Sequence, residues 1–144
     1  MKATISEIAS ALGLKNDSKT IIDTLLTDSR SLIRPESSLF FAIHTPGGND
    51  GHKFMRVLYD KGVRCFVAEY VPTDMETCTD AIILKTDNTV RALRETSSLA
   101  RNKPCERVAI TGSRGKTTLK EWIFQLMEPL KEIARSPRSY NSQI

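Results

Sequence analysis

The sequence predicts an α/β protein with parallel strand pairs, followed by the opening of a second strand–loop–helix unit. Three observations carry that expectation. Short apolar runs alternate with amphipathic stretches at the spacing of strand–helix–strand units. The run at residues 38–43, Ser-Leu-Phe-Phe-Ala-Ile, is almost continuously apolar, as a strand covered on both faces must be. Further on, Thr111-Gly112-Ser113-Arg114-Gly115-Lys116-Thr117-Thr118 joins an apolar run to an amphipathic one through glycines.

Taken in order, Thr4 with Glu7 three residues later is a capping-box signature. Ile5, Ile8, Ala9 and Leu12 then share one helical face, and Gly13 can close the helix. Residues 21–26 and 38–43 read as strands. The stretch His-Thr-Pro-Gly-Gly-Asn-Asp-Gly from His44 to Gly51 is a breaker-rich loop. A helix is expected at 53–61, with Phe54, Val57 and Leu58 on its buried side and Gly62 at its end. Residues 64–68 and 81–85 read as two more strands. Asp87 or Asn88 can cap a helix bearing Val90, Leu93, Ser97 and Ala100 on one stripe.

Asn102-Lys103-Pro104 marks the boundary, since proline cannot continue the preceding helix. The first domain is therefore expected over 1–103 and the second unit over 104–144. In the latter, a strand at 107–110 leads through the glycine loop to a helix at 116–127. Leu119, Ile123, Leu126 and Met127 form its buried side, and Trp122 packs beside them. A further short strand is expected at 132–135. About forty residues are too few to bury a core of their own.

Composition narrows the function classes. The chain has 144 residues, a normal size for one domain, with 40% hydrophobic and 26% charged residues. Those fractions argue against disorder, collagen-like repeats and coiled coil. No apolar run approaches the roughly 18 residues that span a bilayer, and the N-terminus has no signal-peptide core. Cys65, Cys78 and Cys105 are scattered, forming neither a disulfide framework nor a zinc pattern, which points to a reducing compartment and the cytoplasm. No pair among the cysteines, His44 and His52 has metal-ligand spacing. The net charge of +4 is dispersed, without the Lys/Arg blocks a nucleic acid requires, and it suits an acidic small-molecule substrate. The sequence stops at Ser-Gln-Ile with no helix stop, turn or polar tail, which reads as a cut through a longer protein.

The glycine loop carries the sharpest chemistry. Its glycines let successive N–H groups converge on phosphate oxygens, the following helix adds its dipole, and Lys116 adds a mobile charge. The hydroxyl of Thr117 is suited to Mg²⁺. The general pattern G-x-x-x-x-G-K-[ST] asks for glycine where this chain has Ile110. The bland alternative, a tight turn with a surface lysine, accounts for the glycines but not for the strand and helix flanking them.

These residues resemble the Mur ligases of peptidoglycan synthesis, whose loop is typically Thr-Gly-x-x-Gly-Lys-Thr-Thr, without the early glycine. Thr27-Asp28-Ser29-Arg30 resembles that family's uridine-site motif. Leu39-Phe40-Phe41-Ala42 with Asn49-Asp50-Gly51-His52-Lys53-Phe54 resembles its F-A…D-G-H-x-F segment. Gly115 to Glu121 looks most like the branch that adds D-alanyl-D-alanine. Ser139-Tyr140-Asn141-Ser142-Gln143-Ile144 resembles the start of that branch's N-x-N-x-x-I-G segment, with Ser139 replacing the first asparagine.

The resemblance implies a UDP-substrate-binding domain followed by the first strand, P-loop and helix of a central ATPase domain. It also implies ATP and Mg²⁺ as cofactors, with UDP-N-acetylmuramoyl-tripeptide and D-alanyl-D-alanine as substrates. In the implied reaction the peptide carboxylate takes the γ-phosphoryl of ATP, and the dipeptide amine displaces phosphate from the acyl phosphate. Because anions must be brought together, cations and backbone dipoles would do most of the barrier lowering. Lys116 would hold the β/γ-phosphates and Thr117 the Mg²⁺, while Gly112, Ser113, Gly115 and Thr118 line the cradle. Asn141 would lie near metal and substrate phosphate.

At the other end of the substrate, Asp28, Ser29 and Arg30 would bind or frame the uridine, although Asp28 and Arg30 can equally form a structural ion pair. Asn49 and His52 would approach the UDP diphosphate or shape the loop. Two neighbouring readings are a ligase adding diaminopimelate or lysine, and a uridine-nucleotide-binding module without catalysis. An unrelated P-loop NTPase would need an acidic metal-supporting residue at a later strand end, and nothing after Thr118 offers one. The 144 residues alone are expected to show no turnover.

Overall fold

The computed structural model describes residues 2–45, 47–101, 106, 108–133 and 135. The chain divides into two compact units, Met1–Pro104 and Cys105–Ile144.

Unit 1 begins with a two-residue strand, β1 (Ala3–Thr4), which runs directly into α1 (Ile5–Ala11). The capping box forms as its spacing requires. Glu7 N–H donates to Thr4 Oγ1 at 3.2 Å, and Thr4 N–H donates to Glu7 Oε2 at 2.7 Å. Gly13, at φ 69°, turns the chain away from the helix end.

The expected strand at 21–26 is two strands in two different sheets. β2 (Ile21–Ile22) pairs antiparallel with β1, whereas β3 (Thr24–Leu26) enters the main sheet. Asp23 breaks the run. Its carboxylate accepts hydrogen bonds from the hydroxyls of Thr24 (2.7 Å) and Ser37 (2.8 Å) and from Arg34 (3.3 Å). A polar residue held by three local partners ends one ladder and starts another.

The main sheet is four-stranded and wholly parallel. It runs β3, β4 (Ser38–Phe41), β5 (Cys65–Ala68), β6 (Ile82–Lys85), in chain order. All residues of β4 and β5 are buried, which is why residues 38–43 read as continuously apolar. Alternate side chains serve two separate cores. Leu39, Phe41, Cys65 and Val67 pack with Ile5, Ile8 and Ala9 of α1 and with Ala92 of α3 (Thr89–Arg101). Phe40, Ala42, Phe66 and Ala68 pack with Met55 and Leu58 of α2 (Met55–Asp60). The result is a three-layer sandwich, with a T-shaped Phe40–Phe66 pair at 6.4 Å between ring centroids.

One helix expectation needs correction. The helix expected at 53–61 starts as a 3-10 turn, Gly51–Phe54, before α2. Its buried stripe is His52, Met55 and Leu58, while Phe54 and Val57 are exposed. The three-residue rhythm of the 3-10 turn sets this register, because His52 is pinned on both ring nitrogens and Met55 and Leu58 follow at the same spacing. Ahead of α3, Asn88, one of the two residues expected to cap it, does so, accepting from Arg91 N–H at 2.8 Å.

In unit 2, α4 (Lys116–Met127) has the expected limits. Residues 108–110 are not in a strand among the described residues, and neither are 132, 133 or 135. Unit 2 has no described strand with which either run could form a ladder, so the apolar pattern alone does not make them strands. Leu119, Trp122 and Leu126 of α4 are exposed rather than buried, consistent with a unit too small to cover them. The segment from Ser139, with Asn141, lies outside the described residues.

Candidate functional site

Because β3 to β6 are parallel, their C-terminal ends share one edge of the sheet, where chains leaving a sheet present side chains to ligands. Four segments start there: 27–31 after β3, 42–51 after β4, Glu69-Tyr70 after β5, and residues 86–89 after β6.

After β3, Asp28 caps the 3-10 turn Ser29–Ser31, accepting from Arg30 N–H at 3.0 Å. Arg30 closes a fork on the same carboxylate, Nε to Oδ1 at 3.0 Å and a terminal nitrogen to Oδ2 at 2.7 Å. The side-chain and backbone hydrogen bonds from Arg30 hold the Asp28 carboxyl down at about 2. Asp28 and Arg30 thus satisfy each other, and Ser29 sits between them, half-buried. That geometry is the ion pair the sequence also allowed, with Arg30 exposed beside the half-buried Ser29.

After β4, the loop is built on glycine. A Cβ on Gly51 would lie 2.8 Å from the backbone N of Ile43 and 2.9 Å from its carbonyl O, so no side chain fits there. Gly51 N–H donates to Ile43 O at 2.9 Å, and His44 and Asp50 face each other in an isolated bridge. Asn49 is exposed at the loop's outer side, while its carbonyl accepts from Thr45 Oγ1 at 3.3 Å.

Asp50 and His52 organise the rest of the edge. Asp50 Oδ1 accepts from His52 N–H at 3.0 Å and pairs with His52 Nδ1 at 2.7 Å, while Oδ2 accepts from the Tyr70 hydroxyl at 2.6 Å. Glu69 N–H donates to His52 Nε2 at 3.1 Å, so that nitrogen carries the lone pair and Nδ1 the proton that goes to Asp50. Glu69 in turn accepts from both N–H and hydroxyl of Thr89, at 3.0 Å each, tying the first turn of α3 to the same cluster. Burial pushes the Asp50 carboxyl up, but the hydrogen bonds from Tyr70 and His52 outweigh it and hold the group at about 2. The Tyr70 hydroxyl is raised, chiefly by its bond to Asp50.

His52 is 2% exposed with both ring nitrogens engaged. It fastens the 42–51 loop to the end of β5. Sequence reasoning singled out Asn49 and His52 but missed Asp50, Glu69, Tyr70 and Thr89 as parts of one cluster. Asp50 had a local signal, a carboxylate two residues before His52 in a turn. For the other three only the parallel topology supplies one.

In unit 2, Gly115 caps α4 in the left-handed region at φ 77°, and Gly112 lies at φ 151°. Nothing lies within 4 Å of where a Cβ on Gly115 would point, so the glycine is required by conformation and not by crowding. The Lys116 ammonium folds back over the loop, donating to the carbonyls of Gly112 and, at 3.4 Å, Ser113. Ser113, Arg114, Thr117 and Thr118 are exposed around it. A glycine turn, a twelve-residue helix opening at its end, one ammonium and two threonine hydroxyls form a donor set that fits a nucleotide phosphate with a divalent cation.

No profile of a known protein family matches the chain. Over 136 residues it is 32% identical to the UDP-N-acetylmuramoyl-tripeptide–D-alanyl-D-alanine ligase of Borreliella burgdorferi, covering 89% of the chain and 27% of that protein. Over 105 residues it is 32% identical to the UDP-N-acetylmuramoyl-L-alanyl-D-glutamate–2,6-diaminopimelate ligase of Clostridium botulinum, covering 71% of the chain and 21% of that protein. Among solved structures it matches MurF from Acinetobacter baumannii with a TM-score of 0.71 at 24% identity, over 90% of the chain and 28% of MurF. A structure of the UDP-N-acetylmuramoylalanyl-D-glutamyl-2,6-diaminopimelate–D-alanyl-D-alanyl ligase from the same organism gives 0.72 at 24% identity, over 90% of the chain and 29% of the ligase. At that identity the structural likeness is one of fold. The chain spans about a quarter of the length of these proteins. Both comparisons meet the resemblance carried by the motifs.

Proposed function

We propose that this chain belongs to the Mur ligases and supplies two parts of such an enzyme. Residues 1–103 are its UDP-substrate-binding domain, and residues 104–144 open its P-loop ATP-binding domain. The proposed reaction is the ATP-dependent addition of D-alanyl-D-alanine to UDP-N-acetylmuramoyl-tripeptide. The observation that carries this reading is the 32% identity to a ligase of that name over 136 residues, a stretch longer than unit 1 alone. The order of the motifs supports it: Thr27 to Arg30, Asn49 to Phe54, then Gly112 to Thr118.

In this reading Lys116 holds the β- and γ-phosphates, Thr117 holds Mg²⁺, and Gly112, Ser113, Gly115 and Thr118 form the cradle. ATP supplies the phosphoryl group that activates the acceptor carboxylate. The chain's own contribution there is fixed positive potential, from backbone N–H groups, the α4 dipole and the Lys116 ammonium. Asn141 is assigned to the metal and substrate phosphate on sequence alone. On unit 1, Ser29 contacts the uridine end, with Asp28 and Arg30 framing it. Asn49 reaches the UDP diphosphate, and His52 shapes the loop from beneath. The buried thiols of Cys65 and Cys78 suit a reducing cytoplasm, and no described helix is long and apolar enough to cross a membrane.

The test is phosphate release dependent on both UDP-N-acetylmuramoyl-tripeptide and D-alanyl-D-alanine, measured for the full open reading frame and for the 144 residues alone. The full protein is expected to turn over, and the 144 residues are not. Turnover by the 144 residues contradicts the division of labour proposed here. Release with diaminopimelate, on a UDP-muramoyl-dipeptide, in place of D-alanyl-D-alanine moves the protein to the branch of the Clostridium botulinum relative.

A further inference from the structure

We infer that Tyr70 is a nucleobase platform, its outer ring face taking the uracil of the UDP-linked substrate. The inference rests on the UDP-site reading of unit 1 and adds a residue to that site. Tyr70 leaves the sheet at the C-terminal end of β5, next to the β4 loop that carries Asn49. Its inner face lies on His52, the two rings nearly parallel at 10° with centroids 3.9 Å apart. Its hydroxyl is committed to Asp50 at 2.6 Å. The ring is therefore fixed in position before any ligand arrives, which lowers the ordering cost of stacking on it.

With one face and the polar tip already used, Tyr70 is still 46% exposed, whereas His52 beneath it is 2% exposed. The open area is thus the outer π-face and its edges. Aromatic faces presented in this way bind bases by stacking, because every base has a π-face to offer.

Electrostatics selects which part of a UDP-linked ligand can lie there. Asp50 and Glu69, both carboxylates, sit at the tyrosine's hydroxyl and backbone. A diphosphate placed over the ring would meet like charge, whereas uracil is uncharged. The base therefore belongs at Tyr70, with the phosphates directed away from it.

The 144-residue chain is titrated with UDP by calorimetry as wild type, Tyr70→Phe, Tyr70→Leu and Tyr70→Ala, with circular dichroism confirming each fold. Tyr70→Phe, which keeps the ring on His52, is expected to bind within about threefold of wild type. Tyr70→Leu and Tyr70→Ala are expected to weaken binding at least about fivefold. In proton NMR the uracil H5 and H6 resonances of bound UDP move upfield with wild type and Tyr70→Phe and lose that shift with Tyr70→Leu. UDP bound by wild type with H5 and H6 unmoved, or bound equally well by a folded Tyr70→Leu, overturns this inference and leaves the UDP site standing. Folded wild type that fails to bind UDP overturns the site reading and this inference with it.

Discussion

Asp50 accepts three hydrogen bonds, two from His52 and one from Tyr70, and its carboxyl is held at about 2 against an ordinary value of 3.8. A folded-state value below the unfolded one makes this group stabilising above the ordinary carboxylate range. That contribution is lost as pH falls from about 4 towards 2. Acid unfolding of Asp50→Asn should therefore be shallower over that interval than that of wild type; parallel curves would show that Asp50 holds nothing together. Gly51 offers a second test at this scale. An added Cβ lies 2.8 Å from the Ile43 backbone, which has no room to yield, so Gly51→Ala should cost about 1–3 kcal/mol in urea denaturation. The stretch from Asn49 to His52 was legible in the sequence because its members are contiguous and a turn brings them together. Tyr70 and Thr89 reach the same cluster from the ends of other strands, and nothing near them in the chain announces it.

At the level of elements, local chemistry was readable wherever local chemistry decides. The Thr4–Glu7 box forms as its spacing requires, and Thr4→Ala should lose about 1 kcal/mol of stability by chemical denaturation while nucleotide binding stays unchanged. Misreadings came where a partner element decides. Residues 21–26 look like one strand until Asp23 is seen held by Thr24, Ser37 and Arg34, which sends each half to its own sheet. Residues 108–110 are apolar enough for a strand, yet unit 2 has no described strand to pair with them. Likewise the buried face of α2 follows His52, Met55 and Leu58 because the preceding turn is 3-10, a detail that apolar periodicity does not encode. The junction of glycine loop and α4 is the element with chemical consequences. Lys116→Ala in the full-length protein should abolish turnover and leave binding of the UDP substrate nearly intact, since each charge-assisted hydrogen bond lost there is worth about 1.5–3 kcal/mol. Equal loss of both ligands would indicate misfolding instead.

On the scale of the whole molecule, the two units differ in what they can do by themselves. Unit 1 has two cores, one on each face of a parallel sheet, and gathers its polar cluster along one edge. Unit 2 presents a phosphate-type loop on a helix whose Leu119, Trp122 and Leu126 are exposed. Binding of the UDP substrate should thus belong to unit 1 and be independent of ATP. The most direct test is calorimetric titration of the folded 144-residue chain with UDP-N-acetylmuramoyl-tripeptide in the absence of ATP. Saturable binding that free UDP competes away is the result expected. No heat and no competition, from protein whose circular dichroism and melting show it folded, would contradict the assignment of unit 1 as the UDP-substrate domain.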